Sequence, residues 1–153
     1  MPEVTIDDKR ITVADGDTIL TAAKKAGIWI PTLCYNAALS TNGSCRLCLV
    51  ELETGKGRSK LVTACNYPVR RDCTVSVSSP AAAAARKGIM ELLLARSPES
   101  GELRQLAARM GIDGTPHPTV TDSQRNCILC GLCVKVCEEV MGCSAIGFIG
   151  RGT

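Results

Sequence analysis

Alternating apolar and polar positions near the start of the chain predict a small β-rich unit. Apolar side chains occupy every second position in residues 4–6 and 10–13, on either side of the polar segment Asp7-Asp8-Lys9. This period-two pattern around a short polar turn is typical of a β-hairpin. The chain has three more runs that read as strands, at residues 49–52, 59–64 and 74–78.

The spacing of apolar residues changes to that of helices in three places. Asp17 or Thr18 can cap a first helix that runs through Lys25, and Gly27 can end it. Proline is favoured at the first position of a helix, so Pro80 predicts the start of a second, alanine-rich helix.

Beyond Pro80 the pattern predicts a helical connection. Ser97-Pro98 ends the alanine-rich helix, residues 101–110 predict another helix, and residues 111–121 form a linker rich in glycine and proline. We therefore expect three parts: a β-rich domain at 1–79, a helical linker at 80–121 and a C-terminal module at 122–153.

Composition limits what such a chain can do. The 153 residues include one Trp, one Phe and two Tyr, so the core is small and bound cofactors would help to stabilise it. No apolar signal segment begins the sequence and no stretch is long enough for a membrane span, which predicts a cytoplasmic protein. The net charge of +3 is not concentrated in a basic run, so we expect no nucleic-acid partner.

Ten cysteines supply the candidate chemistry. In a reducing compartment they indicate metal ligands before disulfides. Eight of them fall into two groups: Cys34, Cys45, Cys48 and Cys65, then Cys127, Cys130, Cys133 and Cys137. Cys-x-x-Cys steps with further thiols nearby are typical of iron–sulfur clusters, in which thiolates converge on one inorganic core. Two complete clusters, at about −2 each, would bring the net charge to about −1.

The first group has intervals of ten, two and sixteen residues. Gly43 and Ser44 precede Cys45, and glycine permits a close backbone approach that aims N–H groups at the sulfide of a cluster. A zinc site with four cysteine ligands is the alternative, although paired zinc knuckles have two Cys-x-x-Cys steps and this group has one. Cys73 fits neither group and is interpreted as a buried apolar thiol.

The second group has the spacing Cys-x-x-Cys-x-x-Cys-x-x-x-Cys, which is typical of a [4Fe–4S] centre. The fourth cysteine of such a run ligates the other cluster in two-cluster ferredoxins, and a continuing helix would carry Cys137 away. The fourth ligand can therefore be Cys137, Cys143 or a residue outside this chain. A truncated C-terminus would also explain why no second motif follows.

Both groups lie within longer motifs: IPTLCY at 30–35, GSCRLCLVE at 43–51, TACNYPV at 63–69, CILCGLCVKVCEEVMG at 127–142 and AIGF at 145–148. These motifs resemble the iron–sulfur region of the large iron–sulfur subunit of respiratory complex I and of related NAD-linked hydrogenase and formate dehydrogenase subunits. The resemblance implies an α+β chain with a β-grasp [2Fe–2S] ferredoxin domain, linker helices and a small ferredoxin-like [4Fe–4S] module. It also places Gly43, Ser44 and Arg46 at the [2Fe–2S] cluster.

The middle of the chain departs from this family. Relatives carry one histidine and three cysteines there for a further cluster, whereas residues 95–100 of this chain contain neither residue type. The only histidine, His117, lies between two prolines and is interpreted as structurally incidental. That further cluster is therefore not expected.

These features predict an electron-transfer subunit of a multisubunit NAD(P)H-linked oxidoreductase. The chain has no Gly-x-Gly-x-x-Gly motif and no catalytic triad, so cofactors would carry the chemistry. The expected partners are a flavin-bearing, NAD(P)H-binding subunit and a further redox or catalytic subunit. The alternatives are a free diffusible ferredoxin, a redox sensor and a zinc-binding interaction module.

Overall fold

The structure is a computed structural model that describes residues 1–55, 57–121 and 127–149. The first strands form the hairpin that the alternating pattern predicts. β1 (Glu3–Ile6) pairs antiparallel with β2 (Lys9–Thr12), and Ile6 lies opposite Lys9. The turn is therefore shorter than expected, because Asp7 adopts a left-handed conformation with φ 48° that lets two residues reverse the chain.

Three further strands complete a mixed sheet: β3 (Leu49–Gly55), β4 (Arg58–Thr63) and β5 (Cys73–Ser76). The strand order is β2-β1-β5-β3-β4, with β1 and β5 parallel and the other pairs antiparallel. β3 extends three residues beyond the predicted run because it pairs with β4 as far as Gly55, which lies opposite Arg58. Lys56 lies outside the described residues.

One helix packs on this sheet. α1 (Ile19–Lys25) begins at the cap residue Thr18, whose hydroxyl accepts a hydrogen bond from the Thr21 N–H at 3.2 Å. Its buried side chains join those of the sheet in one apolar core, which includes Val4, Ile6, Leu20, Val50 and Val75. A mixed sheet with helices confirms the predicted α+β class.

Two helices build a second core beside the sheet. α2 (Pro80–Arg96) and α3 (Gly101–Arg109) are capped by serine hydroxyls, as helix starts of this type commonly are. Between them they bury Met90, Leu94, Leu103 and Ala107 around Leu47. Since Leu47 lies between two cysteines of the first group, this second core supports the cysteine loop from one side.

A buried arginine fastens α2 to the sheet. The guanidinium of Arg86 donates to the Val77 carbonyl at 2.6 Å and to the Leu49 carbonyl at 3.4 Å. Hydrogen bonds from a charged donor to buried carbonyls stabilise the folded state. The helix is thus held at a defined position against β3.

The C-terminal segment contains the short α4 (Leu132–Lys135), which continues into a π-helical turn at Val136–Val140. The predicted module at 122–153 includes residues 122–126 and 150–153, which lie outside the described residues. Across the described ranges, no helix is long and apolar enough to cross a membrane.

Candidate metal centre

Hydrogen bonds of the backbone bring the first four cysteines together. Cys48 directly precedes β3 and Cys65 directly follows Ala64 at the end of β4, and the Ala64 N–H donates to the Cys48 carbonyl at 3.0 Å. The Cys45 N–H donates to Cys34 Sγ at 3.4 Å. Cys34, Cys48 and Cys65 are buried and Cys45 is half-buried. The sequence-predicted group therefore forms one enclosed site.

The four thiols form two hydrogen-bonded pairs. The Cys45 thiol lowers the pKa of Cys34 to about 5, and the Cys65 thiol lowers the pKa of Cys48 to about 7, in both cases against the effect of burial. The same hydrogen bonds, together with burial, raise the pKa values of Cys45 and Cys65. The charge of Cys34 also raises the pKa of both Cys48 and Cys65, which indicates that the two pairs lie near each other.

The loop that precedes Cys45 carries polar donors near the Cys34 sulfur. The N–H and the hydroxyl of Ser44 both donate to Oδ1 of Asn42, at 3.3 and 3.1 Å, and they help to lower the pKa of Cys34, in addition to the Cys45 groups. Hydrogen bonds of this kind stabilise a thiolate, which is the form that binds a metal. The expected contact of Ser44 with a cluster stays a prediction.

Gly43 closes the loop against the turn that follows Cys65. Its φ is +61°, and a Cβ added there would lie 2.7 Å from Nδ2 of Asn66. The Asn66 side chain is itself fixed by a hydrogen bond from the Thr63 hydroxyl. Only glycine meets both conditions, because it tolerates the left-handed conformation and has no side chain to collide with Asn66.

Arg46 also adopts a left-handed conformation, with φ 61°, between Cys45 and Cys48. Its carbonyl accepts a hydrogen bond from the Leu49 N–H at 3.3 Å, which shapes the loop into a tight turn. A non-glycine residue in this region is uncommon and such conformations cluster at functional sites. Its expected contact with a cluster stays a prediction.

The donor set of this site consists of cysteine sulfur. Four thiols brought to one site suit a [2Fe–2S] cluster, which takes four cysteine ligands. A zinc ion would need its thiolates arranged around one point, at about 2.3 Å.

The second group is arranged differently. Cys127 and Cys133 are exposed, Cys130 is half-buried and Cys137 is buried. Sγ of Cys137 lies 3.4 Å from Sγ of Cys143 and accepts a hydrogen bond from the Ala145 N–H at 3.1 Å. The N–H of Ile146 is the main cause of a lowered pKa at Cys137, with the Cys143 thiol next. The buried thiol of this group is thus paired with Cys143.

Glycine shapes the loop that carries Cys130 and Cys133. Gly131 has φ +76°, and a Cβ there would lie 3.3 Å from the ring of Phe148. Leu129 is also left-handed, with φ 53°. The loop is anchored at its start, where the buried Ser97 hydroxyl donates to the Cys127 carbonyl at 2.7 Å.

Comparison with known proteins agrees with this geometry. Residues 2–80 match the family described as "2Fe-2S iron-sulfur cluster binding domain". The chain belongs to this family. The match covers the sheet, α1 and all four cysteines of the first group, which supports a [2Fe–2S] cluster as a cofactor of this [2Fe–2S] domain.

Relatives of the [2Fe–2S] domain also match the remainder of the chain. The NADPH-Fe(3+) oxidoreductase subunit alpha of Geobacter sulfurreducens is 37% identical over 99% of this chain and 20% of its own length. The mitochondrial NADH-ubiquinone oxidoreductase 78 kDa subunit of Neurospora crassa is 34% identical over 98% of the chain and 23% of its length. The NADP-reducing hydrogenase subunit HndD of Solidesulfovibrio fructosivorans is 36% identical over 99% and 30%, respectively.

A solved structure shows the same architecture. The crystal structure of an NAD+-reducing [NiFe]-hydrogenase in the H2-reduced state superposes with a TM-score of 0.83 at 29% identity, over 99% of this chain and 71% of that one. These findings confirm the resemblance inferred from the cysteine motifs. The chain spans only 20 to 30% of the length of the curated relatives described above.

The two cysteines outside the motifs have ordinary surroundings. Cys73 is half-buried at the start of β5 and packs against the core of the [2Fe–2S] domain, and burial raises its pKa. Its interpretation as a packing residue agrees with this position, whereas Cys143 contacts Cys137. His117 is exposed, and its N–H donates to the Thr115 hydroxyl at 3.1 Å.

The structural roles of Asn66 and Ser40 were not predicted from the sequence. Asn66 directly follows Cys65 and forms the surface against which Gly43 closes. Ser40 contacts Glu139 and Lys135, which are 99 and 95 residues away along the chain. Neither residue has a signal in its local pattern, because both roles depend on segments that are distant in sequence.

Proposed function

We propose that this chain relays single electrons through two iron–sulfur centres within an NAD(P)H-linked oxidoreductase. Residues 1–79 form a β-grasp domain for a [2Fe–2S] cluster, residues 80–121 form a helical linker, and residues 122–153 form a [4Fe–4S] module. The convergence of four thiols, three of them buried and one half-buried, carries this proposal, since it supplies a complete ligand set.

In this proposal Cys34 and Cys45 would hold one iron, and Cys48 and Cys65 would hold the other. The contact of the Cys45 N–H with Cys34 Sγ and the hydrogen bond between Ala64 and Cys48 support this pairing, as do the opposite pKa shifts within each pair. A bound [2Fe–2S] cluster supplies a centre that accepts or releases one electron at a time. The protein contributes position and potential: the Cys45 N–H donates to Cys34 Sγ, and hydrogen bonds to sulfur tune such potentials.

Cys127, Cys130 and Cys133 would hold the second centre. The fourth ligand would be Cys137 or Cys143, or a residue supplied from outside this chain. The contact between Cys137 and Cys143 gives these two thiols a common position beside the loop. Ile128, within that loop, packs against the same core as Cys45. The two centres would therefore lie on one apolar support, as a relay requires.

The partners follow from the relatives' names. NADPH, NADH and NADP appear in the names of the matched subunits, and each is a subunit of a larger enzyme. This chain offers no dinucleotide-binding motif, so we propose that a flavin-bearing, NAD(P)H-binding subunit exchanges electrons with it and that a further redox subunit lies on the other side. A cytoplasmic location stays a prediction.

Metal and sulfide quantification on the anaerobically purified protein tests this proposal. We expect about six irons and about six sulfides per chain, from one centre of each type. Cys48→Ser should lose about two irons, whereas Cys130→Ser should lose about four. Zinc in excess over iron would contradict the proposal and favour an interaction module.

Purification from the native host tests the subunit assignment. Co-elution of the chain with bound flavin and with NADH or NADPH oxidation is the expected result. Elution as a free iron–sulfur protein would instead indicate a diffusible ferredoxin or a redox sensor. The two measurements are independent, since the first addresses the centres and the second addresses the complex.

A further inference from the structure

Two side chains from the C-terminal segment form hydrogen bonds with Ser40, in the loop between Cys34 and Cys45. The Lys135 ammonium donates to the Ser40 carbonyl at 2.6 Å and to the Ser40 hydroxyl. The Glu139 carboxylate accepts from the Ser40 N–H at 2.7 Å and from the Ser40 hydroxyl. Lys135 and Glu139 also form an ion pair at 3.3 Å. All three polar groups of Ser40 are thus bound, and we call this contact the Ser40 clasp.

The clasp joins the two chain segments that carry the proposed ligands. Ser40 lies in the ten-residue loop between Cys34 and Cys45. Lys135 lies between Cys133 and Cys137, and Glu139 lies two residues after Cys137. Each side of the contact is therefore close in sequence to proposed ligands. Ser40 is near those of the [2Fe–2S] domain, and Lys135 and Glu139 are near those of the C-terminal module.

Both segments need such an anchor. The loop at 35–44 contains no strand or helix, and its interval of ten residues exceeds the four of plant-type ferredoxins. On the other side, a helix as short as the four residues of α4 is not stable by itself. The clasp fixes the middle of the loop and the end of this short helix in one step.

The ion pair is not explained by helix stability alone. In an α-helix, an acidic residue four positions before a basic one is the more favourable order, and here lysine comes first. The Lys135 side chain is only 13% exposed, whereas the comparable pair of Lys87 and Glu91 on α2 leaves Lys87 65% exposed. The burial of Lys135 is accounted for by its contacts with Ser40.

We propose that the Ser40 clasp is a positioning device that fixes the separation and orientation of the two centres for electron transfer. This inference rests on the proposed function. The transfer moves one electron from one centre to the other, with no bond formed or broken and no proton moved. Electron transfer weakens steeply with distance, so a contact between the two ligand-bearing segments controls the rate without touching either centre.

The test compares Lys135→Met and Glu139→Gln with the matched control Lys87→Met, all in the full chain purified anaerobically. Three quantities are measured on each variant: iron content, the magnetic interaction between the two reduced centres by pulsed EPR, and amide hydrogen exchange of residues 36–44. We expect unchanged iron content, a weaker interaction, and exchange about fivefold to tenfold faster in the two clasp variants. The control should match the wild type in all three.

A milder variant, Ser40→Ala, covers the case in which Lys135→Met or Glu139→Gln loses iron. It removes the hydroxyl contacts and keeps the two backbone contacts, so its effects should be smaller and in the same direction. The double variant Ser40→Ala/Glu139→Gln should show less than additive effects, because both changes remove one shared contact.

The outcomes separate this inference from the proposed function. A wild-type chain without iron would overturn the proposed function and the role of the clasp with it. Iron present in all variants, with an interaction between the centres equal to that of the wild type, would overturn the clasp alone. Equal hydrogen exchange at residues 36–44 in the wild type and the clasp variants would do the same.

Discussion

The close approach of Gly43 to Asn66 allows us to predict the loss of stability caused by a substitution at Gly43. Replacing Gly43 by alanine places a Cβ 2.7 Å from Asn66 Nδ2 and forces alanine into a conformation with φ +61°. The left-handed conformation alone costs about 1–2 kcal/mol. Displacing Asn66 weakens its hydrogen bond with Thr63, at about 1 kcal/mol more. The total cost of Gly43→Ala is therefore about 2–3 kcal/mol.

A matched control isolates the contact from the backbone strain. Gly27 has a similar φ of +70° and open space where its Cβ would be, so Gly27→Ala should cost only about 1–2 kcal/mol. Thermal unfolding followed by circular dichroism should show a midpoint for Gly43→Ala about 2–4 °C below that of Gly27→Ala. The visible absorption of the iron–sulfur protein should also bleach faster in Gly43→Ala, because the loop carrying Cys45 is displaced.

Equal midpoints and equal bleaching rates for the Gly43 and Gly27 variants would show that the contact with Asn66 has no energetic effect. A second comparison makes the conclusion specific to Asn66. In a background of Asn66→Ala the collision is absent, so the additional cost of Gly43→Ala should fall to the level of the Gly27 variant.

Three further predictions concern the cores and the ligands. Arg86→Met should lower the free energy of unfolding by about 2–3 kcal/mol, because two buried carbonyls lose a charged donor, and denaturation as resistant as that of the wild type would contradict this. Met90→Ala should cost about 2–5 kcal/mol from a fully buried site, measured against the exposed Leu92→Ala on the same helix, and equal stability of the two variants would argue against a second core. Cys73→Ala should retain the full iron content and Cys65→Ala should lose iron, so iron loss from both variants would show that Cys73 is a ligand.

Local signals explain why much of the fold could be predicted. The hairpin follows from alternation across a polar turn, and the start of α2 follows from the pair Ser79-Pro80, which places a capping hydroxyl and a proline at the first helical position. The observed α1 and α3 agree with the predicted helices to within one residue. In each case the interactions that set the boundary of the helix or hairpin involve residues only a few positions from that boundary.

The observed strands differ from the predicted ones where pairing with a neighbouring strand sets the end of a strand. β3 runs to Gly55 because β4 lies alongside it, and β5 begins at Cys73 because it pairs with β1 from Val4 onwards. A run of apolar residues does not contain this information, since strand ends depend on the partner strand. The strand order likewise depends on contacts between the two ends of the domain.

The candidate site also has features that local sequence predicts and features that depend on distant contacts. The cysteine spacing predicted the four first-group thiols as one set, because two are adjacent in a Cys-x-x-Cys step and the others frame it. Their division into two pairs depends on the hydrogen bond between the ends of β3 and β4. The contact of Cys137 with Cys143 depends on the π-helical turn, which interrupts the continuous helix that spacing alone predicts.

Native mass spectrometry of the anaerobically purified protein determines whether the first cysteine group holds a [2Fe–2S] cluster, since it weighs the inorganic content of each intact chain. We expect a species carrying two irons and two sulfides on the first group, retained in Cys130→Ser and lost in Cys65→Ser. A chain that carries a single zinc ion, or whose two-iron species survives in Cys65→Ser, would contradict this expectation.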